Sequence, residues 1–122
     1  KKEFHKNVAK YAKTIRSRGI EPILFMSWPY KNKPSMITQL REEFFKAANT
    51  NNILLIPVGE AFYAFERKYP EINLYIDDFR HPSNEGTYLA ASVIFASLFN
   101  LLFLLSGTIL FLYCLSLSNL AY

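Results

Sequence analysis

Ile20-Glu21-Pro22-Ile23-Leu24-Phe25-Met26 is a nearly continuous apolar run that stops at Ser27-Trp28-Pro29. Apolar residues at successive positions suit a strand buried on both faces, the situation of a central strand in a parallel sheet. The run follows an amphipathic pattern from Phe4 to Arg18, in which Phe4, Val8, Tyr11 or Ala12, and Ile15 recur at intervals of three and four residues. That spacing predicts a helix, and Gly19 closes it where a left-handed residue is cheapest.

The same alternation continues downstream. Lys31 to Ser35 is a polar loop, and Met36 to Thr50 returns to helical period through Met36, Ile37, Leu40, Phe44 and Ala47 or Ala48. Ile53-Leu54-Leu55-Ile56-Pro57-Val58 is a second apolar strand, with its proline near the end where a missing N–H does least harm. A third helix follows over Glu60 to Lys68, with Phe62, Phe65 and Tyr69 as its stripe, and Tyr69-Pro70 ends it. Helix, strand, helix, strand, helix with short connections predicts an α/β fold with a parallel sheet between helices. Two strands do not make a stable open sheet, so further strands are expected upstream.

Behind this alternation stands Asp77-Asp78-Phe79-Arg80-His81-Pro82-Ser83-Asn84-Glu85-Gly86-Thr87-Tyr88-Leu89-Ala90-Ala91. An aspartate three residues before a histidine, in a loop entering a helix, can bring its carboxylate to the imidazole Nδ1–H. That bond fixes the tautomer, leaves Nε2 able to accept a proton and stabilises the imidazolium that results. Pro82 disfavours helix at His81, and Ser83 or Asn84 is placed to cap the helix beyond. Alone, Asp-x-x-His is a weak signal, and its bland reading is a loop-stabilising hydrogen bond. Its position adds weight, because active residues of open α/β sheets gather at the carboxyl ends of strands.

The run Asp78 to Ser83, followed by Gly86-Thr87-Tyr88-Leu89-Ala90-Ala91, resembles the last block of the SGNH (GDSL-type) hydrolases. The strand Pro22 to Trp28 and the helix before it also look like the penultimate part of that fold. The resemblance covers about Phe4 to Phe99 and implies a three-layer α/β/α, flavodoxin-like SGNH fold, incomplete here at the amino end. It implies an ester hydrolase with a Ser-His-Asp triad, acting on a small-molecule or carbohydrate ester. His81 would be its general base and Asp78 the orienting partner. The family's Gly-Asp-Ser and Gly-x-Asn-Asp blocks, which carry the nucleophile and the oxyanion donors, do not occur in this sequence. Two residues therefore carry over, and the chain is expected to be inactive alone. A non-catalytic carbohydrate-binding or membrane-tethered α/β interaction module is the rival reading. A flavodoxin-like regulatory domain would need an acidic cluster after its first strand, which is missing.

Other candidates fare less well. Ser27 ends a strand but lacks the flanking glycines of a nucleophile elbow, so it is expected to line the site or cap the strand. Asp77 reads as a turn acid. Arg80 could bind an acidic group of a substrate, against the commoner fate of a surface ion pair. Trp28 and Tyr30 fit either substrate contact or packing at the strand end, and His5 reads as an exposed residue without a partner. Asp77, Asp78 and His81 lack further ligands at metal-binding spacing, and no glycine-rich phosphate loop is present, so no cofactor or metal is expected.

Charge is distributed unevenly. All 14 Lys and Arg and all 10 acids precede Gly86. The basic cluster from Lys1 to Arg18 reads as a solvated helix face, since no nucleic-acid motif or interleaved aromatics accompany it. Asn84 to Phe99 is expected to be helical, with Tyr88, Ala91, Val93, Ile94, Phe95 and Leu98 largely buried. Residues 1–99 are thus taken as the hydrolase-like part and 100–122 as an apolar tail. The uncharged stretch 101–118 approaches the ~20 residues that cross a bilayer. A membrane anchor, which would favour an extracytoplasmic or membrane-associated location, competes there with a buried helix and a frame-shifted ending. Cys114 is the single cysteine, which excludes an intrachain disulfide.

Overall fold

Leu54, Leu55 and Ile56 lie in register beside Ile23, Leu24 and Phe25 as two parallel strands, β1 (Ile23–Phe25) and β2 (Leu54–Ile56). The structure is a computed structural model that describes residues 1–105, with side chains described through residue 99. Four helices accompany the strands: α1 (Lys2–Arg16), α2 (Met36–Asn51), α3 (Val58–Lys68) and α4 (Asn84–Leu105). The segment 106–122, which holds Cys114 and most of the uncharged stretch, lies outside the described residues. Among those described, no helix is long and apolar enough to cross a membrane. The result is a mixed arrangement of helices on a small parallel sheet.

Each helix packs on the next along the chain, and both α2 and α4 lie against β2. α1 docks on α2 through Phe4 and Phe44, whose ring centroids are 4.9 Å apart. Beside them, Glu43 accepts from His5 Nε2 at 2.6 Å and pairs with Lys1 Nζ at 2.9 Å. His5 is therefore a half-buried contact between two helices and not the partnerless surface residue its sequence position suggests. Hydrogen bonds from His5 and then Lys1 hold the Glu43 carboxyl down to about 2. Ala12, not Tyr11, fills the buried position of α1. Arg16 donates to the carbonyls of Asn51 and Asn52 at 2.9 and 2.6 Å, so a cation caps the carboxyl end of α2. The basic residues Lys2, Lys6, Lys10 and Lys13 stay exposed, as a solvated helix face requires.

The core gathers Ile56, Val58, Phe62, Leu74 and Tyr75, with Trp28, Phe65, Leu89, Ala90, Val93, Ile94 and Leu98 packed around it. Trp28 stacks nearly parallel on Phe62 at 4.5 Å, and Phe62 meets Tyr75 edge-on at 5.8 Å. Two expectations about burial fail. Ile23 and Phe25 are 48% and 41% exposed, so β1 is not buried on both faces. Register sets Phe25 beside Ile56, and α4 packs against β2, where Ile56 joins the core. On α4 itself, Tyr88 and Phe95 are 77% and 63% exposed, and Ala91 is exposed too, whereas Val93, Ile94 and Leu98 pack inward. α4 is apolar around most of its circumference, so periodicity could not choose its inward face.

Close backbone approach makes that choice. A Cβ on Gly86 would stand 2.2 Å from the Leu74 carbonyl oxygen, and one on Gly59 would stand 2.2 Å from that of Ser27. Gly59 N–H also donates to the Met26 carbonyl at 3.1 Å, seating the start of α3 against the end of β1. Both glycines let a helix begin in contact with a neighbouring main chain. Gly86→Ala is expected to destabilise the fold by about 1–3 kcal/mol through overpacking against an unyielding carbonyl. Thermal unfolding by circular dichroism checks this, and Thr87→Ala on the exposed next position serves as the neutral reference.

Candidate active site

Leu74 and Tyr75 are both buried, and the chain that leaves them returns at Pro82 and Ser83 to pair with them. Ile76 N–H donates to the His81 carbonyl at 3.0 Å and Ser83 N–H to the Leu74 carbonyl at 2.9 Å. Between these ties the residues from Asp77 to Arg80 form a closed turn. Phe79 sits there at φ +60°, a left-handed conformation that costs a side-chain-bearing residue about 1–2 kcal/mol. Ser83 ends the turn by capping α4: its Oγ accepts from Gly86 N–H at 3.1 Å and donates to the Asn73 carbonyl at 2.8 Å. The proline after the histidine and the serine after the proline thus act locally as their types suggest.

The turn is also held from outside. Tyr75 Oη donates to the Pro29 carbonyl at 2.8 Å, Trp28 Nε1 donates to the Arg80 carbonyl at 2.9 Å, and Lys31 N–H donates to the Phe79 carbonyl at 2.9 Å. Burial, followed by the nearby Glu66 carboxylate, pushes the Tyr75 phenol up, so it stays a neutral donor. The same burial raises the Glu66 carboxyl. Residues 28 to 31, directly after β1, therefore clamp the turn at two points and the strand segment leading into it at a third. Nothing in the local sequence announces these ties, which join residues about 46 to 52 apart; the cluster Trp28-Pro29-Tyr30 at a strand end was the only hint.

Asp78 and His81 meet inside this turn. The Asp78 Oδ1 accepts from the backbone N–H groups of Arg80 and His81, each at 2.9 Å, and Oδ2 accepts from His81 Nδ1. The bond from His81, then the two backbone bonds, holds the Asp78 carboxyl down to about 2. At neutral pH the carboxylate is ionised and can only accept, so the proton of the shared bond resides on Nδ1. In the neutral ring Nε2 is then the bare nitrogen, and among the described residues it has no hydrogen-bond partner. A group whose carboxyl is depressed this way adds stability above its ordinary value of 3.8 and loses it as pH falls toward 2.

His81 is 74% exposed and lines a cleft of about 400 Å³ together with Ser27, Trp28, Tyr30, Met36, Leu40 and Arg80. Ser27 shares the cleft with His81 but forms no hydrogen bond with it. Trp28 stacks on Phe62 of the core and also lines the cleft wall. Tyr30 lies under the Arg80 guanidinium, 4.9 Å from ring centroid to carbon. Met36 and Leu40, from the first turns of α2, complete the wall and were read from the sequence only as helix core. The arrangement can hold an imidazole ready to take a proton, beside a mainly apolar surface.

Neither a protein-family model nor a curated protein matches the chain. Among solved structures, one that matches is described as a "putative SGNH hydrolase" from Slackia heliotrinireducens, with a TM-score of 0.66 and 25% identity. The match covers 80% of this chain but only 56% of that one, so this chain spans little more than half of its length. The likeness supports an SGNH-like fold.

The bond from His81 to Asp78 makes a spectroscopic prediction. The Asp78 carboxyl carbon, followed by NMR, should titrate with a midpoint near 2 and not near 3.8. A midpoint at the ordinary value means the carboxylate is not held by the ring and the backbone.

Proposed function

We propose that this chain is the carboxy-terminal part of an SGNH-type hydrolase of ester bonds, built on an SGNH-like α/β/α fold whose remaining strands lie outside it. The observation that carries this reading is the ionised Asp78 on Nδ1 of His81, with Nε2 bare and facing a cleft. The likeness to a hydrolase fold supports it. A serine hydroxyl from a segment outside this chain gives its proton to His81 Nε2 as its oxygen attacks the ester carbonyl. Asp78 stabilises the imidazolium that forms. Collapse of the tetrahedral intermediate breaks the ester C–O bond, and His81 returns the proton to the departing alkoxide. Water then attacks the acyl-serine, with His81 again taking the proton, and the free acid and the serine are regenerated. The absence of Gly-Asp-Ser from the sequence makes this chain inactive by itself.

The test extends the reading frame beyond Lys1, expresses the longer protein and follows hydrolysis of p-nitrophenyl acetate. His81→Ala should lower kcat by roughly 10³- to 10⁶-fold, and Asp78→Asn by roughly 10²- to 10⁴-fold because the ring loses its tautomer and its counter-charge. Ser27→Ala should leave the rate within about threefold, the behaviour of a wall residue. Unchanged turnover in His81→Ala refutes the catalytic reading, and the non-catalytic binding module then takes its place.

A further inference from the structure

We propose that Arg80 makes the cleft selective for an anionic ligand, so that the ester taken there carries a carboxylate-sized negative group beside an apolar portion. This inference rests on the cleft being the substrate site and adds what the substrate must look like.

Arg80, like Arg67 over Tyr63, rests on an aromatic ring, but of the two only Arg80 lines this cleft. Arg16 and Arg41 have carboxylate partners, Glu21 at 3.2 Å and Glu60 at 2.7 Å. None of the ion pairs among the described residues includes Arg80. Asp78 accepts from the Arg80 and His81 N–H groups and from the His81 ring, and neither it nor Asp77 forms an ion pair with the Arg80 guanidinium among the described residues. The Arg80 main chain is fixed on both sides, its N–H on Asp78 and its carbonyl accepting from Trp28 Nε1. Its guanidinium lies over the Tyr30 ring at 4.9 Å, a contact that holds a cation in place without neutralising it. The guanidinium therefore offers unused donors in a planar fork, the geometry that suits a carboxylate or a phosphate.

The rest of the wall says what accompanies the charge. Trp28, Tyr30, Met36 and Leu40 are apolar or aromatic, and Arg80 is the only residue on the wall with a permanent charge. An acyl chain or a small ring fits against them, while the anion sits on Arg80 and the reacting carbonyl faces His81. A neutral ester of the same size would leave the guanidinium donors to water.

Trp28 makes the idea measurable without turnover, since it is the single tryptophan of the sequence and stands on the wall of this cleft. Its fluorescence is followed in the full chain during titration with hexanoate, and separately with hexanamide, a neutral molecule of nearly the same shape. Hexanoate should bind about fivefold more tightly than hexanamide, the upper end for an exposed ion pair. Arg80→Gln should abolish that preference while leaving hexanamide binding unchanged, and Arg80→Lys should keep part of it. His81→Gln should retain the preference. Equal binding of the two ligands, no saturable response to hexanoate, or a preference that survives Arg80→Gln overturns the proposal, and its loss in His81→Gln moves the charge to the imidazole and overturns it too. Because no bond is broken, the outcome separates from the hydrolase reading: an inactive longer protein with an intact hexanoate preference loses the chemistry and keeps the anion site.

Discussion

Three hydrogen bonds between the segment after β1 and the stretch from Tyr75 through the Asp78 turn set the site. Tyr75 to Pro29, Trp28 to the Arg80 carbonyl and Lys31 to the Phe79 carbonyl each join parts of the chain that are far apart in sequence. They hold a turn that would otherwise be unfavourable, because Phe79 is left-handed at its centre. Strain of that kind persists only where the surroundings over-determine the backbone, and here the surroundings are this clamp together with the buried pair Leu74 and Tyr75. The helix that follows is fixed in the same place, since Gly86 rests on the Leu74 carbonyl.

Fixing the turn also fixes the chemistry of its side chains. Asp78 spends both oxygens within four residues, on two backbone N–H groups and the imidazole. That engagement keeps it ionised, sets the proton of His81 on Nδ1 and leaves Nε2 available. The Arg80 side chain takes no part in that network, and its guanidinium rests on the Tyr30 ring.

The elements themselves were legible in the sequence. Apolar period placed the helices and strands within a few residues, except that α4 runs on to Leu105, past the expected end at Phe99; Gly19 takes up its left-handed turn (φ +73°), and the capping residue after Pro82 is Ser83. The three-residue spacing put Asp78 within reach of His81 without showing contact, and the structure supplies the bond. What could not be read was anything set by tertiary contact. His5 gained Glu43 as a partner from a helix 38 residues away. The inward face of α4 was hidden because most of its faces are apolar, and a steric rule at Gly86 selected it. The exposure of Ile23 and Phe25 is a matter of packing and not of pattern. Trp28 was ambiguous for a physical reason, since it serves the core and the cleft together.

The central claim is that the turn orients the His81 ring, with Nδ1–H donating to the Asp78 carboxylate and Nε2 without a partner among the described residues. Two-bond ¹H–¹⁵N correlation spectra of the imidazole at neutral pH, in the chain and in Asp78→Asn, test it most directly. The account predicts the Nδ1–H tautomer in the chain and its loss or mixing in the variant. A ring that carries its proton on Nε2, or a tautomer indifferent to Asp78, would contradict it.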